Sequence, residues 1–231
     1  MRFGILGPTE IEIEPFIRTM QVINSEQKAK LTFYNGLYGF IDVVVTQCGI
    51  SKVNAAIATQ LMIDNFNVDA IIIVGIAGAL SKSISIFDTV IASKVLYHDV
   101  DKMILHNSPL YLYDGIFRAD QDLLKIATNF ATNVQYKNTI HFGAVATGDY
   151  FVDHALKLEY PIGCFPIAVD METASVAHVC YINSKPFIAI RAISDIVGER
   201  SKKDFKKNEY QAAQRAVDIL KAYLKHFGGE C

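Results

Sequence analysis

The sequence has no CxxC pair, no HxxxH or HExxH pairing among its six histidines, and no apolar run long enough to cross a bilayer. Each lack removes a class of protein. The four cysteines, at 48, 164, 180 and 231, follow no framework spacing, so they read as the reduced thiols of a cytoplasmic protein. The last of them sits on a terminal "GGEC" tail. Without paired histidines no metal site is expected. The longest clearly apolar stretch, "AIIIVGIAGAL" (70–80), falls short of the roughly 20 residues a membrane helix needs. The apolar part of "MRFGILGP" is too brief for a signal peptide. A formal net charge of −2 offers no footprint for nucleic acid. GxGxxG and GxxxxGK[ST] are missing, which argues against a dinucleotide or Walker-type phosphate cradle, and no cofactor is expected.

What is present is an ordinary soluble composition, 51% hydrophobic and 20% charged over 231 residues, with no repeat, low-complexity tract or linker. Strand-like and helix-like segments alternate. "RFGILG" (2–7) reads as a strand closed by Gly7-Pro8, and residues 9–22 suit a helix. Residues 30–49 read as a hairpin turning at Asn35-Gly36. Ser51 is expected to cap a helix with Val53, Ile57 and Leu61 on one face. Strands are predicted at 69–75, 88–93, 140–148, 166–171 and 187–194, and helices at 120–131, 172–182 and 208–227. The last helix carries an apolar stripe of Tyr210, Ala213, Val217, Leu220 and Leu224. The pattern predicts one α/β domain over 1–231, a three-layer α/β/α arrangement around a central mixed sheet. In such sheets ligands bind beyond the carboxyl ends of the strands.

The residues at those ends are unusual. Glu10, Glu12 and Glu14 follow the first strand, either as a dipole-favourable helical turn or with one acid turned inward as a base. Gly75 and Gly78 in "GIAGAL" (75–80) allow close backbone approach. "TGDYFV" (147–152) supplies aromatics for a helix staple or for stacking on a flat ring. "VDMETASVAHVC" (169–180) puts Asp170 and Glu172 at an apolar strand–helix junction, where a charge needs a partner. Arg191 lies within an apolar strand and asks for a carboxylate, with the Glu12 region and Glu172 as candidates; Asp195 lies just past the strand's end. "GERSKKDFKK" (198–207) reads as a solvated loop in which Phe205 must dock or stay exposed.

Taken together, "GILGPTEIEIE", "GISKVNAA" (49–56), "VGIAGAL" (74–80), "YHDVD" (97–101), "TGDYFV", "VDMETASVAHVC" and "PFIAIRAISD" (186–195) resemble bacterial 5′-methylthioadenosine/S-adenosylhomocysteine nucleosidases. These belong to the purine nucleoside phosphorylase-like superfamily. The likeness runs over essentially the whole chain. It implies a nucleoside phosphorylase-like fold, a homodimer, and hydrolysis of an N-ribosidic bond. Such chemistry needs an acid for the departing purine and a base for water. By similarity Asp195 would protonate adenine, Glu12 would activate water, and Glu172 would grip the ribose hydroxyls with Met171 against the sugar. Arg191 would position the water or Glu12. Phe151 would stack on adenine while the Val152 backbone reads its edge, and Ile50 and Phe205 would take the 5′-thio group. Ile76, Ala77, Gly78 and Ser194 complete the implied substrate site.

The chain departs from that pattern in three places. Ile76 stands where the family often has a serine that binds the water, Asp170 replaces a more usual Glu, and residues 102–115 diverge where the family's partner subunit helps close the 5′ pocket. Two alternatives compete. A phosphorylase would need cationic phosphate ligands where glutamates and Ile76 stand. A non-catalytic nucleoside-binding protein would not need Glu12, Glu172, Arg191 and Asp195 together.

Overall fold

The computed structural model describes residues 1–229 except 102, 105–109, 111, 113, 133–138, 155–163 and 199. Cys231 and much of the divergent 102–115 segment therefore lie outside the described residues. The chain runs β1 (Arg2–Gly7), α1 (Glu10–Ile17), β2 (Gln21–Lys28), β3 (Leu31–Tyr38), β4 (Ile41–Gln47), α2 (Lys52–Phe66), β5 (Ala70–Ala79), β6 (Thr89–Tyr97) and β7 (Ile116–Arg118). It continues through α3 (Gln121–Ala131), β8 (Ile140–Thr147), β9 (Pro166–Asp170), α4 (Thr173–Ile182), β10 (Phe187–Ile196) and α5 (Ser201–Phe227).

The ten strands among the described residues join one mixed sheet with helices on both faces, the predicted arrangement. One large cluster packs α2 and α4 against it through Ala55, Ala58, Met62, Ala174 and Ala177; another packs α1, α3 and α5 through Phe16, Leu123, Leu220 and Tyr223. The sheet also closes on itself: β5 pairs with both β10 and β9, completing a ring with β6 and β8. An extension, β1-β4-β3-β2, runs out from β5. This closure gathers the carboxyl ends of β1, β5, β8, β9 and β10 around a single cleft.

Several local expectations give way. The helix after β1 ends at Ile17, and Gln21–Lys28 forms an edge strand, mostly exposed and so without an apolar alternation to betray it. Asn35-Gly36 is not a turn but the middle of β3. Asn35 is buried there, accepting from Arg2 and donating to Asn24, and a Cβ on Gly36 would stand 2.1 Å from the Gln21 carbonyl oxygen. The chain reverses instead at Ala29-Lys30, both at positive φ, and at Gly39-Phe40. On α2 the buried face is Ala55, Ala58, Thr59, Met62 and Phe66, whereas Val53 is 65% and Ile57 45% exposed. Ser51 offers that helix no side-chain cap. The last helix begins at Ser201, so the supposed loop bearing Phe205 is its first two turns, and Tyr210 faces outward.

Candidate active site

The cleft holds about 490 Å³, within the range of small-ligand sites. Glu12, Ile50, Ile76, Ala77, Gly78, Phe151, Val152, Met171, Glu172, Ser194, Asp195 and Phe205 all line it. Arg191 does not; it is fully buried behind the lining.

Of the three glutamates after β1, only Glu12 is buried; Glu14 pairs with Arg18 at the surface. Thr9 caps α1, and its N–H and hydroxyl donate to Glu12 Oε2 at 2.9 and 2.5 Å. The Ile76 N–H donates to Oε1 at 2.9 Å. Burial raises the Glu12 pKa, opposed by Arg191, Thr9 and Ile76. Gly75 makes the approach possible: a Cβ there would lie 2.4 Å from both Glu12 Oε1 and Arg191 Nη1.

Arg191 finds its partners on the β9–α4 junction rather than at Glu12. Its Nε lies 2.9 Å from Asp170 Oδ2 and donates to Thr173 Oγ1 at 3.0 Å, while Nη2 donates to Glu172 Oε2 at 3.3 Å. Glu12 acts on it only through space. Asp170 is thus the partner that reading the sequence passed over. It is held by Thr147 Oγ1 at 2.5 Å and by the Thr173 hydroxyl, and its Oδ1 accepts the Thr173 N–H at the start of α4. An acid followed three residues later by a threonine, at the end of an apolar strand, is the only signal the sequence held. Arg191 Nη1 is left buried without a hydrogen-bond partner, beside Glu12.

Glu172 ends with one oxygen on Arg191 and the other, Oε1, accepting the Ser51 N–H at 2.9 Å. Burial raises its pKa, against the pull of Arg191. A register shift between Ile193 and Asp195 breaks the β10–β5 ladder, and both Ser194 and Asp195 reach the cleft. Asp195 Oδ1 accepts from Ser194 Oγ at 2.7 Å, and Oδ2 has no partner. Desolvation raises its pKa to about 6, with Ser194 opposing. Glu12 and Asp195 are therefore displaced in the same direction and differ in their partners. Phe151 and Phe205 meet edge to face across the cleft, ring centres 5.5 Å apart. Among the described residues no cluster suits a metal ion.

A self-closing mixed sheet with helices on both faces, and a carboxylate-lined cleft at its strand ends, defines a protein of the nucleoside phosphorylase-like class. The family model described as "Phosphorylase superfamily" matches residues 2–225. The 5′-methylthioadenosine/S-adenosylhomocysteine nucleosidase of Bacillus pumilus is 33% identical, across 97% of this chain and 99% of its own. The S. pneumoniae enzyme of the same name, solved with the transition-state inhibitor MT-ImmA, aligns with a TM-score of 0.90 at 28% identity, covering 98% of this chain and 100% of its own. Helicobacter pylori futalosine hydrolase aligns at 0.87 and 29%, covering 97% of each chain. The chain belongs to the 5′-methylthioadenosine/S-adenosylhomocysteine nucleosidase family of the phosphorylase superfamily.

Proposed function

We propose that this chain is a single-domain N-glycosyl hydrolase that releases adenine from 5′-thio-substituted adenosines. The observation that carries the reading is that two of the buried carboxyls lining one cleft, Asp195 and Glu12, have different surroundings. Asp195 keeps a partnerless oxygen beside Gly78, and Glu12 is fixed by three donors beside Gly75.

Asp195, raised to about 6, keeps a proton on a useful fraction of molecules near neutrality and gives it to purine N7 as the bond to C1′ stretches. Glu12 takes a proton from the water that attacks C1′, and Arg191, buried behind the lining, positions Glu12 through its charge. With Ile76 in place of a serine, it is the Ile76 N–H that steadies Glu12. Glu172 receives the ribose hydroxyls on its remaining lone pairs, and its charge favours the cationic sugar of the transition state. Met171 packs against the sugar, Phe151 stacks on the purine, the Val152 backbone reads its edge, and Ile50 with Phe205 takes the 5′ group.

Adenine release from methylthioadenosine in phosphate-free buffer tests the reading. Release that requires phosphate would make the chain a phosphorylase, and binding without release a nucleoside-binding protein. Relative rates on methylthioadenosine, S-adenosylhomocysteine, 5′-deoxyadenosine and aminodeoxyfutalosine define the 5′ preference. We further propose a homodimer: exposed Ile50, Val53 and Ile57 form an apolar line from the cleft rim along α2. Free, buried Cys48, Cys164 and Cys180 suit a reducing compartment, and we place the protein in the cytoplasm.

A further inference from the structure

Ser51 has φ 88 and ψ 159, a region that only glycine occupies without strain. Three contacts hold it there. Its N–H donates to Glu172 Oε1 at 2.9 Å, and its hydroxyl donates to Asp149 Oδ1 at 2.5 Å. The same Asp149 oxygen accepts the N–H of Lys52 at 2.9 Å, fixing the peptide on the other side of the strained bond. Asp149 is in turn tied down: its N–H donates to Asp99 Oδ2 at 2.9 Å, which also takes the Lys52 ammonium at 2.7 Å.

We propose that Ser51 is a positioning residue, clamped by Asp149 so that its strained backbone aims an N–H at Glu172 and ties the purine-side loop to the ribose-side carboxylate. The geometry leaves little choice. With α2 packed against the sheet, relaxing φ at Ser51 to an ordinary value swings the 50–51 peptide plane, and its N–H, off Glu172. Asp149 stands two residues before Phe151 and three before Val152, so the clamp that strains Ser51 also sets the loop lining the other part of the cleft. Backbone strain persists only where neighbours over-determine it, and here two carboxylates do so. The inference rests on Glu172 being the ribose-binding group.

The test follows the ionisation of Glu172 itself, by ¹³C NMR of its carboxyl carbon with Glu172→Gln for assignment. The groups facing Glu172 are Arg191 and Asp170 from β10 and β9, Glu12 from α1, and Cys48 ahead of α2, all unaltered in the variants. The Ser51 N–H favours the carboxylate, so its loss in Asp149→Ala should raise the Glu172 midpoint by about half a pH unit or more. The acid limb of kcat/KM should move with it. Asp149→Asn keeps an acceptor for Ser51 and Lys52 and should stay near wild type. Ser51→Ala keeps the Cβ that disfavours this φ but loses the hydroxyl that clamps it, so its backbone should relax, its midpoint should shift as in Asp149→Ala, and it covers the case in which that variant fails to fold. Ser51→Gly should melt above Ser51→Ala, because only alanine retains the strained Cβ. An unmoved Glu172 midpoint in folded Ser51→Ala, or equal melting of the alanine and glycine variants, overturns the proposal. Should the midpoint shift as expected while wild type releases no adenine, the clamp stands and the functional reading fails. Adenine release with no shift has the opposite meaning.

Discussion

Asp195 brings a carboxyl out of water with one hydroxyl to stabilise its charge, and the whole protein bears that cost. Its folded pKa is about 6 against an ordinary 3.8, so the folded state holds the proton more tightly than the unfolded chain. Stability is therefore lost as pH rises from about 4 through 6, and the full penalty is present above that. Asp195→Asn removes the penalty. It should lower adenine release by about a hundredfold or more, yet raise unfolding free energy on the order of 1–3 kcal/mol at pH 7.5. That gain should vanish near pH 4; an equal gain at both pH values in denaturant titrations would refute the assignment. Gly75 is the complementary case. Gly75→Ala forces a methyl between Glu12 and Arg191, and should cost roughly 1–3 kcal/mol together with most of kcat. Wild-type turnover in that variant would mean that the two groups need not approach each other.

Elements place these residues by departing from regularity. The register shift in β10 lets Ser194 and Asp195 both serve the cleft, where strict alternation would aim them apart. The early start of α5 brings Phe205 over Phe151. Neither was legible in the residues: a bulge has no composition of its own, and a lysine-rich first turn looks like a solvated loop until an aromatic in it finds a ring to pack on. The edge hairpin misled in the opposite way. Asn35-Gly36 has the composition of a turn, yet Gly36 is needed for close approach to β2, while the true turn is built from Ala29 and Lys30 at φ 47 and 64. Replacing these two by Asn-Gly should relieve that mismatch and raise Tm by about 2–4 °C. A lower Tm in a calorimetric scan would show that the turn is not strained.

For the whole molecule the open question is what covers α2. Val53 and Ile57 looked from their spacing like core residues, but small Ala55 and Ala58 face α4 instead, and the larger side chains are left outside. A dimer using this face should sediment at about twice the monomer mass, and Val53→Lys with Ile57→Glu should halve it. A monomeric wild type at micromolar concentration would sink that proposal.

The sequence by itself determined the α/β class, the order of most elements and the acids at the strand ends, because apolar periodicity and strand-end composition are local properties of the chain, whereas the rest of the cleft was named only by the family resemblance. It also carried the family likeness. Only the tertiary structure decided that Asp170 and Thr173, not Glu12, hold Arg191, that Ser51 is strained between two carboxylates, and that one face of α2 is buried rather than another. These depend on which strands close the ring and how near two backbones come, distances set by packing between segments far apart in sequence.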